Sequence, residues 1–249
     1  MNPQHTIGAC WKLLCVVAHV LSGLATIVFT FPKLGQQQKE AAVQVWALKM
    51  FACLAIKLIV NGKPPVQGPV MLASNHISWL DILVMHAARY CRFVSKSDVK
   101  HWPVIGTLAT GAGTLYIERE SRRDAMRVVH HMAESLRAGD VLAVFPEGTT
   151  SNGVDLLPFH ANLFQAAISA GAPVQPVALR FMDESTGRTS VAPCYIDDDT
   201  LVGSVWRTLC TPNIVAVVTF GEPQLALGRD RRAWSADVRE AIAKLRSSA

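Results

Sequence analysis

Charge is scarce in this chain. Only 17% of its 249 residues are Asp, Glu, Lys or Arg, while 50% are hydrophobic and the mean hydropathy is +0.25. That composition excludes a disordered, solvated polymer, and it exceeds what the core of a soluble domain needs, so part of the apolar surplus should meet lipid. Aromatic residues are few, at 7%, and none interleaves with a basic block, which removes the footprint of a nucleic-acid binder. The excess of 24 Lys and Arg over 19 Asp and Glu gives a net charge of +5, spread thinly in a way that suits an anionic membrane surface and equally an ordinary solvated basic one. No CxxC pair occurs among Cys10, Cys15, Cys53, Cys91, Cys194 and Cys210, and none forms a metal-like cluster with histidine. A disulfide framework and a zinc module are thereby set aside, and the thiols are expected to be reduced, in a domain facing the cytoplasm. There is also no G-x-S-x-G elbow, repeat or low-complexity tract.

The chain does have an uncharged run over residues 13–31, LLCVVAHVLSGLATIVFTF, bracketed by Lys12 and Lys33. It is about as long as an apolar helix needs to cross a bilayer, and no A-x-A-like cleavage site comes after it. A second apolar stretch, residues 41–60, places Lys49 and Lys57 on one side of a helical wheel and Phe51, Leu54 and Leu58 on the other. With Pro32 and Gly35 between them, the two segments predict a membrane-binding helical hairpin over residues 1–63. Whether the first helix spans or both dip into one leaflet, and whether the second lies on lipid or packs on the domain, stays open at this level. The lysines after the run, Lys33, Lys39, Lys49, Lys57 and Lys63, place the rest of the chain at the cytoplasmic face of a membrane.

After Asn61-Gly62-Lys63-Pro64-Pro65 the pattern alternates short apolar runs with helical segments, which predicts one α/β domain over residues 64–249. Strands are expected at 70–74, 92–95, 114–118, 141–145, 174–181 and 214–220. Helices are expected at 122–138, with Met126, Val129, Ala133 and Leu136 inward, and at 232–246, with Val238, Ile242 and Leu245 inward. Pro176 suggests an edge or bulge position for its strand.

The chemistry concentrates in four segments. Asn75-His76-Ile77-Ser78-Trp79-Leu80-Asp81 ends a strand and opens a helix, which puts His76 at the carboxyl edge of the sheet. On a continuous helix a spacing of five would turn Asp81 away from His76, so their pairing requires His76 to lie in the turn, with Ser78 as N-cap in a capping-box-like S-x-x-D. Asp81 serving the cap alone, with His76 an ordinary loop histidine, is the open alternative. Gly113 to Arg119 ends a further strand on an arginine suited to phosphate. Phe145-Pro146-Glu147-Gly148-Thr149 comes after a third strand with a loop that a polar head group can approach, and Val174 to Val177 begins the proline-containing strand.

In this order the four segments resemble the glycerolipid acyltransferase family, and 1-acylglycerol-3-phosphate acyltransferases in particular, over roughly residues 66–182. The resemblance implies an α/β fold with a mixed sheet flanked by helices. It also implies a catalytic pair, His76 and Asp81, and an acceptor site comprising Asn75, Gly113, Arg119, Phe145, Pro146, Glu147, Gly148 and Thr149, to which Lys96 adds a further phosphate contact. The implied reaction takes a fatty acyl group from acyl-CoA or acyl carrier protein to the 2-hydroxyl of a lysophosphatidate, with no metal or cofactor. Partners are then membrane lipids, the lysolipid and the donor, and no nucleic acid.

Two departures stand out. Family members often have arginine after FPEGT and a Phe-Lys-x-Gly stretch beyond it, where this chain has Thr150 and Phe159-His160-Ala161-Asn162. A lysolipid with another head group, such as lyso-ornithine lipid, is therefore the alternative acceptor. A thioesterase using the same base, or an inactive membrane-binding protein, are the readings of another class.

Overall fold

The computed structural model describes residues 3–117 and 122–247. Helix α1 (Pro3–Ala25) runs on through a π turn (Thr26–Thr30) and a 3-10 turn (Phe31–Lys33) that contains Pro32, and α2 (Gln36–Leu54) returns beside it. The expected hairpin is thus present. His19 and Trp46 stack at 5.0 Å and exchange contacts with each other's backbone carbonyls, Nε2 to Trp46 O at 2.9 Å and Nε1 to His19 O at 3.2 Å. Residues 6–33 are long and apolar enough to cross a membrane. Ile7, Trp11, Leu14 and Leu21 recur at helical spacing and are more than half exposed, an apolar stripe that the described residues leave largely uncovered.

The second helix packs on the domain. Ala47, Met50, Phe51 and Leu54 are buried in the same apolar cluster as Leu80 and Val84, and Gln44 Nε2 donates to Ala87 O and Ala88 O. It is shorter than its apolar pattern suggests: Ala55 takes φ 53°, and Lys57–Asn61 forms strand β1, paired in parallel with Ile214–Phe220, here β7. An apolar run rich in Leu, Ile and Val fits either period, and the free edge of β7 decides for a strand. The sheet therefore begins before the turn-rich segment at 61–65 that the sequence suggests as the start of the domain.

The other strands are β2 (Val70–Ser74), β3 (Arg92–Lys96), β4 (Leu115–Ile117), β5 (Val141–Val144) and β6 (Val174–Asp183), in the order β1-β7-β6-β2-β5-β3-β4. β2, β3, β4, β5 and β6 run one way, and β7 pairs antiparallel with β6, so the sheet is mixed. Central β2 is buried along its whole length, and its alternation divides the core: Val70 and Leu72 point to one cluster, Met71 and Ala73 to the other. The first layer contains α2 and α3 (Leu80–Ala88), and a short α4 (Ile105–Gly111) precedes β4. The second contains α5 (Arg122–Arg137), α6 (Phe164–Ala170) and α8 (Arg231–Ser247). α5 buries Val128, Met132, Ala133 and Leu136, whereas Met126 is 75% exposed, so its inward face is rotated from the expected one. α8 buries Val238 and Ile242 with Leu245 at the margin, as expected, and Trp234 as well.

Pro176 lies in a central strand and not at an edge. Its carbonyl accepts from Gly221 N at 2.9 Å, while the ladder to β7 starts only at Val177 opposite Phe220. The missing N–H falls on the side where no continuous ladder needs it.

Candidate active site

The turn from β2 into α3 brings His76 and Asp81 together. His76 Nδ1 and Asp81 Oδ2 are 2.8 Å apart, and the same oxygen accepts Ile77 N at 2.6 Å and Ser78 N at 2.9 Å. Asp81 is fully buried, whereas the His76 side chain keeps 20% of its exposure. With Nδ1 engaged by a carboxylate, the proton on that side is held in place, and Nε2 has no protein partner among the described residues. The carboxylate thus serves the turn and the imidazole at once. The helix opens differently from the expected capping box: α3 starts at Leu80, and the Ser78 hydroxyl takes Leu80 N–H at 3.2 Å while donating to Pro193 O. Only the half in which Asp81 accepts Ser78 N–H is present.

The loop after β5 grips the histidine's backbone. Glu147 is buried, and its two carboxylate oxygens accept His76 N at 2.8 Å and Leu157 N at 3.0 Å. Ser151 N donates to His76 O at 2.9 Å, with its hydroxyl at 3.1 Å from the same oxygen. Burial pushes the Glu147 carboxyl above the usual carboxylate range, against the pull of those two N–H donors and of the nearby His76 and Arg246. Phe145 lies flat on the imidazole, with ring centroids 3.9 Å apart and 7° between planes. Behind it Phe93 stacks on Phe145 at 5.6 Å, and buried His86 meets Phe93 edge-on at 5.1 Å. Pro146 is buried and its carbonyl accepts His160 N at 2.8 Å. Gly148 has φ +72°, a backbone conformation that calls for glycine, and the exposed His160 ring lies over it, 2.7 Å from where a Cβ would stand. Thr149 is exposed, and the Thr150 hydroxyl donates to Tyr195 O.

The remaining residues divide by role. Asn75 is 1% exposed, and both ends of its amide are engaged by β6: Nδ2 donates to Leu179 O at 3.0 Å and Oδ1 accepts Leu179 N at 2.8 Å. It closes the sheet beneath the histidine. Gly113, at φ +79°, turns the chain into β4, where a Cβ would meet Tyr90 Oη at 2.8 Å. Lys96 is exposed at the end of β3, opposite Ile117, which ends β4. Both ends share the carboxyl edge with His76, because β2, β5, β3 and β4 are parallel neighbours. Arg119 lies outside the described residues. No local pattern marks Ser151, or the segment that crosses the turn, where Tyr195 N donates to Ile77 O at 3.1 Å. Among the described residues no three His, Cys, Asp or Glu side chains stand close enough to hold a metal.

Residues 57–180, from β1 into β6, match the family model described as Acyltransferase. A 1-acyl-sn-glycerol-3-phosphate acyltransferase from Neisseria gonorrhoeae is 41% identical over 83% of this chain and 81% of its own length. The chain belongs to the acyltransferase family. This acyltransferase is also 36% identical to a lyso-ornithine lipid O-acyltransferase from Pseudomonas aeruginosa, over 82% of the chain and 78% of that protein. Its fold is shared with the crystal structure of the 1-acyl-sn-glycerophosphate acyltransferase from Thermotoga maritima, at a TM-score of 0.70 and 15% identity, covering 98% and 97% of the two chains. The matched segment holds the whole His76, Asp81 and Glu147 constellation, and α7 (Leu201–Cys210), β7 and α8 lie beyond it.

Proposed function

We propose that this acyltransferase moves a fatty acyl group from a thioester, acyl-CoA or acyl carrier protein, to the 2-hydroxyl of 1-acyl-glycerol-3-phosphate. The reading is carried by the 2.8 Å pairing of His76 Nδ1 with a fully buried Asp81 carboxylate, at the carboxyl edge of the parallel strands. Nε2 of His76 takes the hydroxyl proton as the oxygen attacks the thioester carbonyl. The new C–O bond forms, the C–S bond breaks, and the same nitrogen returns the proton to the departing thiolate. Atoms balance without a covalent enzyme intermediate, and no cofactor enters. Arg119 and Lys96 are assigned to the acceptor's phosphate, with Gly148 and Thr149 lining its approach. The exposed stripe of α1 holds the enzyme on the membrane, and the lysines from Lys33 to Lys63 favour the cytoplasmic face, the inner membrane in a bacterium.

Lyso-ornithine lipid is the second reading. Thr150 donates its hydroxyl to Tyr195 O, and an exposed His160 stands where relatives often have lysine, so fewer cations address a phosphate. The test is a thiol-release assay with both lysolipids and with none. His76→Ala should lower turnover at least ~100-fold without releasing the protein from membranes. Near-normal turnover of that variant removes the mechanism, acylation of lyso-ornithine lipid alone replaces the acceptor, and thiol release without any lysolipid makes the protein a thioesterase.

A further inference from the structure

Beyond the segment shared with the family model, the last helix reaches back to the site. Two arginines of α8 hold four carbonyls of the loop that comes after Gly148. Arg239 donates from Nε to Leu157 O at 3.0 Å and from Nη2 to Leu156 O, and Arg246 donates from Nη2 to Gly153 O and to Val154 O at 3.0 Å. All four bonds are charge-assisted and come from one helix, and such bonds are roughly twice as strong as neutral ones. The loop so fixed is the one whose Leu157 N–H binds Glu147, and the other oxygen of Glu147 binds His76 N–H. Gly153 also lies against Ile77, the neighbour of His76: a Cβ on it would be 3.1 Å from Ile77 Cδ1.

We infer that Arg246 and Arg239 of α8 are positioning residues for the acyl transfer, setting the place of His76 through the loop at 153–157 and Glu147. The inference rests on His76 being the base, as proposed above. Arg246 has a second effect that a simple tether lacks. Its charge lies near enough to Glu147 to favour the carboxylate, which burial opposes. Among the described residues, the titratable and charged groups acting on Glu147 are His76, from the turn after β2, and Arg246, from α8. Arg246 in turn feels Arg180 of β6 and Asp155 of the loop, and Arg180 Nη1 donates to Arg246 O at 2.6 Å. Removing the guanidinium makes the carboxylate easier to protonate, and a protonated Glu147 is a poorer acceptor for the His76 N–H. Loss of Arg246 should therefore carry the acid limb of kcat to higher pH.

The experiment uses the full chain in phospholipid vesicles, with lysophosphatidate and acyl-CoA, and follows kcat, both KM values and the pH profile. Arg246→Gln should lower kcat roughly tenfold, since a misplaced base costs rate and not ground-state affinity, while both KM values stay within about threefold. Its acid limb should move up in pH, and Arg246→Lys should bring that limb back while recovering only part of kcat. Arg239→Gln, which touches the loop but not Glu147, should lower kcat without moving the limb. If Arg246→Gln keeps wild-type kcat and pH profile, the inference fails. It fails also if kcat falls only in proportion to the folded fraction, measured by melting, with the limb unmoved. A His76→Ala enzyme that remains active would instead remove the mechanism beneath it, so the two failures are distinguishable.

Discussion

Asp81→Asn separates the carboxylate's charge from its shape. Three N–H donors converge on Oδ2, from His76 Nδ1 and from the backbone of Ile77 and Ser78, all within 2.9 Å. An asparagine must therefore put its amide oxygen in that place, because the NH2 would face three donors. The imidazole then keeps its orientation and its Nδ1–H, and what disappears is the negative charge opposite the imidazolium that forms as the hydroxyl is deprotonated. A hydrogen bond to a charged group contributes about 1.5–3 kcal/mol, against about 0.5–1.5 kcal/mol for a neutral one. A loss of about 1–2 kcal/mol in the transition state corresponds to roughly 5- to 30-fold in kcat at 1.36 kcal/mol per decade. The displaced NH2 takes the position of Oδ1, which is buried and without a partner among the described residues, so stability should fall by about 1–3 kcal/mol as well. Asp81→Ala strands all three donors and should lose far more of both. The assay is thiol release from acyl-CoA with lysophosphatidate, alongside thermal melting of each variant. Wild-type turnover in Asp81→Asn would reduce Asp81 to a cap of the turn. Turnover as low as in His76→Ala, with an unchanged melting temperature, would refute the argument that the amide oxygen is locked in place.

Asn75→Ala should lower the melting temperature, since it leaves Leu179 N–H and C=O unpaired in a buried sheet at about 1–3 kcal/mol each, while the acceptor KM of the folded fraction stays unchanged; a selective rise in that KM would return Asn75 to the acceptor site. Burial pushes His86 down from 6.5 to about 4, so between those pH values the unfolded chain binds a proton that the native state does not. Stability is therefore fully present above 6.5 and lost as pH falls, by up to about 3 kcal/mol, and His86→Phe should flatten the fall in melting temperature between pH 7.5 and 5. An equal fall in the variant would show that other groups dominate. Thr150→Arg should lower KM for lysophosphatidate and do little for a lysolipid without phosphate, because a guanidinium gains only where an anion receives it; equal effects on both would remove Thr150 from head-group discrimination.

Elements with strong local patterns were legible in advance. β2 and β7 occupy the expected residues because each is a run of apolar side chains between turns, with only Ser74 and Thr219 polar. The first part of the site was legible too, since the His76 turn depends on residues within five positions of one another. What lay beyond reach is long-range. The Ser78 hydroxyl donates to Pro193 O, 115 residues away, while accepting Leu80 N–H, and α3 starts at Leu80. Glu147 reads in the sequence as part of an acceptor loop, yet both its oxygens are engaged by backbone N–H groups brought in from His76 and Leu157. Asn75 reads in the sequence as part of the acceptor site, and its amide turns inward to Leu179 of β6. The strand β1 was hidden because residues 57–61 are apolar enough to continue α2, and only the edge of β7 selects the extended form.

The seating of α2 on α3 bears on how the enzyme meets its substrate. Phe51 and Leu54 share a core with Leu80 and Val84, and Gln44 is bonded to the end of α3. The hairpin is thus no flexible leash: the helix that carries Asp81 is packed against the hairpin that carries the apolar stripe. With α1 in the membrane, as proposed above, the height of the imidazole above the lipid would be set by this packing, like the cutting depth of a plane blade set in its stock. A lysolipid would need to rise only as far as that depth requires, with its chain still in the leaflet. Cutting away residues 1–60 would remove an edge strand and part of the core together with the anchor, so a soluble version of this enzyme calls for polar replacements along Ile7, Trp11, Leu14 and Leu21 instead of a truncation.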